Sequence, residues 1–92
     1  MNFPVFDLHC DTALALLDRE GNVVNNLAKN NLHIDLHRAG ELPGYAQCFA
    51  CFTTTLFNQS PQLVFERELE TIVTQIEMNR GKIRQAYSTN DI

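Results

Sequence analysis

From Phe3 onward, hydrophobic and polar residues alternate with the two-residue period of a β-strand. Val5, Asp7, His9 and Asp11 fall on one face, with Phe6, Leu8 and Cys10 on the other. The second face is apolar throughout, as expected of a strand packed against outer helices. The first becomes steadily more polar toward its C-terminal end, the pattern of a strand that carries a site at its tip. The alternation predicts a strand over about residues 3–10. Asp11 or Thr12 then caps a helix over about 12–20, where Ala13-Leu14-Ala15-Leu16-Leu17 are strong helix formers and Gly21-Asn22 is the stop signal. Asn25, Asn26, Asn30 and Asn31 mark residues 22–32 as a loop.

After the turn signals Gly40 and Pro43-Gly44, a second strand is predicted over about 45–52. Its run of Ala46, Cys48, Phe49, Ala50, Cys51 and Phe52 is nearly continuous in apolar character, which suits a strand buried on both faces of a parallel sheet. The longest periodic segment predicts a helix over about 62–80. Phe65, Leu69, Ile72, Val73 and Ile76 form one helical stripe, and Ser60-Pro61 supplies an N-cap and a first-turn proline. Glu66, Glu68 and Glu70 stand in its first half and Arg80 at its end, the charge order that the helix dipole favours. The chain therefore reads β-α-β-α, two units of a parallel α/β fold. Ser88-Thr89-Asn90-Asp91 has capping-box spacing, so a further helix is expected to begin there.

Composition changes this picture little. The 92 residues suffice for one small domain, and 45% hydrophobic with 20% charged residues is a globular composition. A net charge of −4 and a pI near 5.1 give no electrostatic reason to expect nucleic acid or an anionic membrane as partner. Arg80, Lys82 and Arg84 are read as a solvated helix end. The opening Met1-Asn2-Phe3-Pro4 lacks the basic and apolar regions of a targeting segment, and no apolar run approaches the roughly 20 residues that span a bilayer. Three cysteines, an odd count, are read as free thiols in a reducing cytoplasm.

His9 and Asp11 are the sharpest chemical feature. Two apart on a strand, they point the same way with Cα atoms roughly 6.5 Å apart, and imidazole nitrogen and carboxylate oxygen are both ordinary zinc ligands. Cys10 points into the opposite layer. Asp7 lies on the ligand face below, where it either orients His9 as a supporting partner or binds other donors. A lone His-x-Asp is common by chance; its position at a strand tip is what distinguishes this one. His33-Ile34-Asp35-Leu36-His37 offers a competing metal site if it is helical, because histidines four apart then share a side. The simpler reading is a loop or short helix anchored by Ile34 and Leu36, with Asp35 paired to Arg38. Cys48-Phe49-Ala50-Cys51 has C-x-x-C spacing, but on a strand the two thiols face opposite sides and are read as structural. Gln47 faces inward in the register that puts Phe49 and Cys51 on that side. Neither a glycine-rich phosphate loop nor a serine nucleophile elbow is present.

Val5-Phe6-Asp7-Leu8-His9-Cys10-Asp11-Thr12 resembles the opening strand of the renal or membrane dipeptidase family of the amidohydrolase superfamily, which has Asp-x-His-x-Asp there. The similarity continues through Ile34-Asp35-Leu36-x-Arg38, Ala46-Gln47-x-Phe49-Ala50, Phe65-Glu66 and Ser88-Thr89-x-Asp91-Ile92. It covers nearly all of this chain but only about the first quarter to third of a typical member. Cys10, where polar residues such as Asn are common, and the glycine-poor spacing around Leu42-Pro43 depart from the pattern without touching a ligand. The resemblance implies a (β/α)8 TIM barrel, truncated here to its first two βα units, with two zinc ions that activate a bridging water for dipeptide hydrolysis. His9 and Asp11 would bind one zinc. The other histidines, the bridging carboxylate and the catalytic aspartate would come from later segments. It also disfavours His33 and His37 as ligands, because that segment leads into the second strand. The alternatives are another metal hydrolase of the same superfamily, or a non-catalytic α/β module that self-associates through open sheet edges.

Overall fold

The alternating opening segment forms the strand Val5–Cys10 (β1), and Tyr45–Phe49 (β2) lies parallel beside it in a two-stranded sheet. This is a computed structural model and it describes residues 3–92; Met1-Asn2 of the segment read for targeting lies outside them. Val5 stands opposite Tyr45, Phe6 opposite Ala46 and Asp7 opposite Gln47. The register then slips across Leu8 and His9, and pairing resumes with Cys10 opposite Phe49. Beyond the slip, the Ala50 N–H donates to the Cys10 carbonyl at 3.0 Å.

Parallel strands need a long crossover, and here it carries two short helices, Thr12–Ala15 (α1) and Leu36–Ala39 (α2). The helix expected over 12–20 thus ends early. Local hydrogen bonds outcompete its continuation: the Asp18 carboxylate accepts the N–H groups of Glu20 and Asn22, each at 2.9 Å, and Leu17 forms an antiparallel bridge with Val23. Gly21, at φ 82°, makes the turn in a conformation that other residues rarely adopt. β2 also stops short of residue 52, so Cys51 and Phe52 lie in irregular chain.

Pro61–Met78 (α3) matches the longest expected helix closely. The Ser60 hydroxyl accepts the Leu63 N–H at 3.3 Å and Pro61 opens the first turn. A 3₁₀ turn at Thr89–Asp91 follows, with the Asp91 carboxylate accepting the N–H of Ser88 at 3.2 Å, the reach-back that capping-box spacing allows. The described residues therefore form a small mixed α/β unit: one two-stranded parallel sheet and three α-helices. No helix among them is long and apolar enough to cross a membrane.

The core sits between α1 and α3. Ala13, Leu16, Leu27 and Ile72 are its buried centre, with Leu32, Leu36, Phe49, Ile76 and Ile83 packed around them. Leu27 is held twice, by its side chain and by its N–H, which donates to the buried Gln75 Oε1 at 2.9 Å. The face that α3 buries is Val64, Glu68, Thr71, Ile72 and Gln75, not the whole apolar stripe: Phe65, Leu69 and Val73 are exposed. Four-residue α1 is too short to cover the stripe, so α3 turns toward it and leaves the rest bare. Phe6 and Leu8, expected beneath outer helices, are also uncovered, Leu8 at 73% exposure. The apolar patterning of both elements is real, but the described residues supply nothing to pack on these faces.

Glu68 is fully buried, and neither of its carboxylate oxygens has a hydrogen-bond partner. Burial, with a smaller contribution from the Asp11 charge, pushes its pKa up from 4.5 to about 7. The fold therefore retains a proton that the unfolded chain releases, so stability falls as pH rises from about 4.5 through 7 and stays low above. Glu68→Gln is expected to flatten this slope and to be more stable than the parent at pH 8 by on the order of 2–3 kcal/mol. Urea unfolding of both proteins at pH 5 and pH 8 reads it; an unchanged slope in the variant would assign the pH dependence to other groups.

Candidate metal centre

β1 delivers His9 and Asp11 to the C-terminal end of the sheet. The Asp11 backbone is the N-cap of α1, yet its side chain caps no helix N–H. Instead its Oδ1 lies 2.9 Å from His9 Nε2. Both side chains are well exposed, 65% and 59%, so as an ion pair in water they contribute little. What matters is their convergence. Two donors on one tetrahedral zinc, each at about 2.0–2.1 Å, sit roughly 3.3 Å apart. The observed gap needs to open by only a few tenths of an ångström for an ion to replace the hydrogen bond. Histidine and aspartate at this spacing thus fit two corners of a zinc site. Among the described residues no group of three His, Cys, Asp or Glu is placed to hold a metal.

Asp7 does not touch the imidazole. Its Oδ1 accepts the backbone N–H of His9 at 3.2 Å, at the point where the register slip interrupts the strand pairing. Opposite it, the Tyr45 hydroxyl donates to Gln47 Oε1, and Gln47 Nε2 donates to the carbonyls of Cys48 at 3.1 Å and Asp7 at 3.4 Å. Burial, and then the Asp7 charge, push the Tyr45 pKa up, so Tyr45 remains a hydroxyl donor. Tyr45 went unmarked in the sequence pattern because its role depends on the pairing register. The spacing of Tyr45 and Gln47 already put both on one face; that Asp7 lies across from Gln47 is a tertiary fact.

The competing histidine pair is not assembled. α2 begins only at Leu36, so His33 precedes the helix and the four-residue spacing does not bring it onto one side with His37. Asp35, which would have joined them, is buried and fully engaged. It accepts the N–H groups of Asn30 at 3.0 Å and Arg38 at 2.8 Å, and pairs with Arg38 Nε at 3.1 Å. The expected Asp35–Arg38 pairing is thus present, in the role of an N-cap. Cys10 is buried, Cys48 exposed and Cys51 half-buried, and all three are free thiols. Because β2 ends at Phe49, strand alternation does not govern Cys51. Burial and then the neighbouring Glu68 push the Cys51 pKa up, which keeps it a thiol and a poor ligand.

Against family models, curated proteins and solved structures, the chain finds no match.

Burial alone would raise the Asp35 pKa, but the two N–H donors and the Arg38 guanidinium outweigh it and hold it down at about 2. A carboxylate depressed in the fold stabilises it above its unfolded pKa near 3.8, and that contribution is lost as pH falls through 2. Asp35→Ala removes the acceptor of two part-buried N–H groups and the partner of Arg38, and is expected to cost about 1–2 kcal/mol at pH 7. Its unfolding midpoint should converge on that of the parent between pH 4 and 2, and chemical denaturation across that range checks the convergence.

Proposed function

We infer that this chain supplies the first-strand half of a zinc site in a dipeptidase of the renal dipeptidase kind, within a (β/α)8 barrel of which β1 and β2 would be the first two strands. The observation that carries this reading is the His9–Asp11 convergence, 2.9 Å between donors at the C-terminal end of a strand in a parallel sheet. That end is where α/β barrels gather their catalytic groups. The bare Phe6-Leu8 face and the free strand edges suit a segment that further βα units would cover. The resemblance in Val5-Phe6-Asp7-Leu8-His9-Cys10-Asp11-Thr12 supplies the substrate class, dipeptides, and the second zinc. A zinc held by His9, Asp11 and further donors would supply Lewis acidity to activate a water as the nucleophile. This chain's contribution is to hold His9 and Asp11 convergent and to keep Cys10 out of the coordination sphere. Three free thiols favour a reducing, cytoplasmic setting.

Two protein donors make a weak site, since zinc normally takes three or four. The 92-residue chain is therefore expected to bind zinc weakly, with the His9 ring resonances moving on titration, and to hydrolyse no dipeptide. His9→Ala and Asp11→Ala should each remove the response at the remaining partner. Heteronuclear NMR with added zinc, alongside a dipeptide assay, tests this. Zinc that leaves His9 and Asp11 unmoved would sink the metal site, and robust turnover by the purified chain would sink the half-site reading.

A further inference from the structure

Strand pairing fails where the ligand pair needs it most. β1 and β2 are in regular register only as far as Asp7 opposite Gln47, and the ladder resumes at Cys10 opposite Phe49. His9 sits inside this slip, and Asp11 lies one residue past the strand end. A parallel ladder would have fixed the His9 backbone through its own N–H. Here that N–H goes to Asp7 Oδ1 at 3.2 Å, so the orientation of His9 depends on where Asp7 is held. Asp7 is itself gripped across the sheet by a side chain: Gln47 Nε2 donates to the Asp7 carbonyl at 3.4 Å and to the Cys48 carbonyl at 3.1 Å. The amide of Gln47 is oriented by the Tyr45 hydroxyl on its oxygen, which directs the NH₂ group toward the two backbones.

We propose that Gln47 is a positioning residue for the His9–Asp11 metal pair, reinforcing the Asp7 carbonyl at the last regular pair before the backbone ladder is interrupted, with Tyr45 orienting its amide. Gln47 touches neither ligand. It acts through the Asp7 backbone and the Asp7 carboxylate that holds the His9 N–H. The inference rests on the metal reading of His9 and Asp11, and its test separates the two. Other features of the molecule lack this chain of contacts. The buried Glu68 carboxylate has no hydrogen-bond partner, and the exposed stripe of α3 has nothing to identify what covers it.

Gln47→Met keeps the length and volume of the side chain and removes both donors. In the full chain without metal, it should displace the Asp7, Leu8 and His9 amide resonances while the thermal midpoint stays close to that of the parent. On titration with zinc alone, the His9 ring resonances should reach the same end point at a zinc concentration about tenfold higher, the scale on which supporting contacts tune metal sites. Tyr45→Phe, which leaves Gln47 in place but unoriented, should shift the midpoint in the same direction by a smaller factor, and it carries the test if Gln47→Met does not fold. A zinc midpoint equal to that of the parent in the folded variant overturns the positioning role. If His9→Ala abolishes the zinc response while Gln47→Met leaves it intact, only the positioning role falls. If zinc leaves His9 of the parent unmoved, the metal reading falls and the inference with it.

Discussion

The docking of α1 against α3 through Leu27 is the contact on which the rest of this small molecule depends. A two-stranded sheet has too little area to hold itself together in water, and β1 and β2 leave much of their surface uncovered. The crossover between them therefore has to generate the core. It does so with Ala13 of α1, Leu16 at its C-cap and Leu27 from the following loop, all packed against Ile72 of α3. The Leu27 N–H closes on Gln75, so the same residue is held by burial and by a hydrogen bond that has no water competing for it. Because α1 starts one residue after Asp11, burying Ala13 pins the backbone of the candidate site. This is how two well-exposed side chains are presented from a defined place.

The same packing has an electrostatic consequence. α3 is turned toward α1 so that Glu68, one of several glutamates along its first half, is taken fully out of water while Glu66 and Glu70 remain solvated. Helix-dipole considerations favour acidic residues in that half and say nothing of which will be buried. The contrast with Asp35 is instructive. Asp35 is buried to nearly the same extent, but two backbone donors and Arg38 stabilise its charge, and its pKa goes down where that of Glu68 goes up. Burial alone does not set the sign; the donors that come with it do.

The uncovered faces bear on function as well as on folding. Phe6 and Leu8 on β1, and Phe65, Leu69 and Val73 on α3, follow the periodicities of elements meant to be packed, yet they face solvent. The candidate site is incomplete in the same sense. His9 and Asp11 converge, and among the described residues no third donor joins them.

Much of this was legible in the residues alone. Alternation from Val5 to Asp11 placed His9 and Asp11 on one side and Cys10 on the other, because a two-residue period follows from backbone geometry whatever the strand packs on. Ser60-Pro61 marked the start of α3, because caps are local hydrogen bonds between near neighbours in sequence; the pairing of Asp35 with Arg38 was legible too, but not that Asp35 caps a helix. What only the tertiary structure decided was everything that depends on partners far along the chain: the face of α3 that turned inward, the burial of Glu68, and the register slip that left His9 without a ladder bond. Tyr45 and Gln47 gained their place at the site from that register. Local geometry set which side chains share the tip of β1; long-range pairing set what they meet across the sheet.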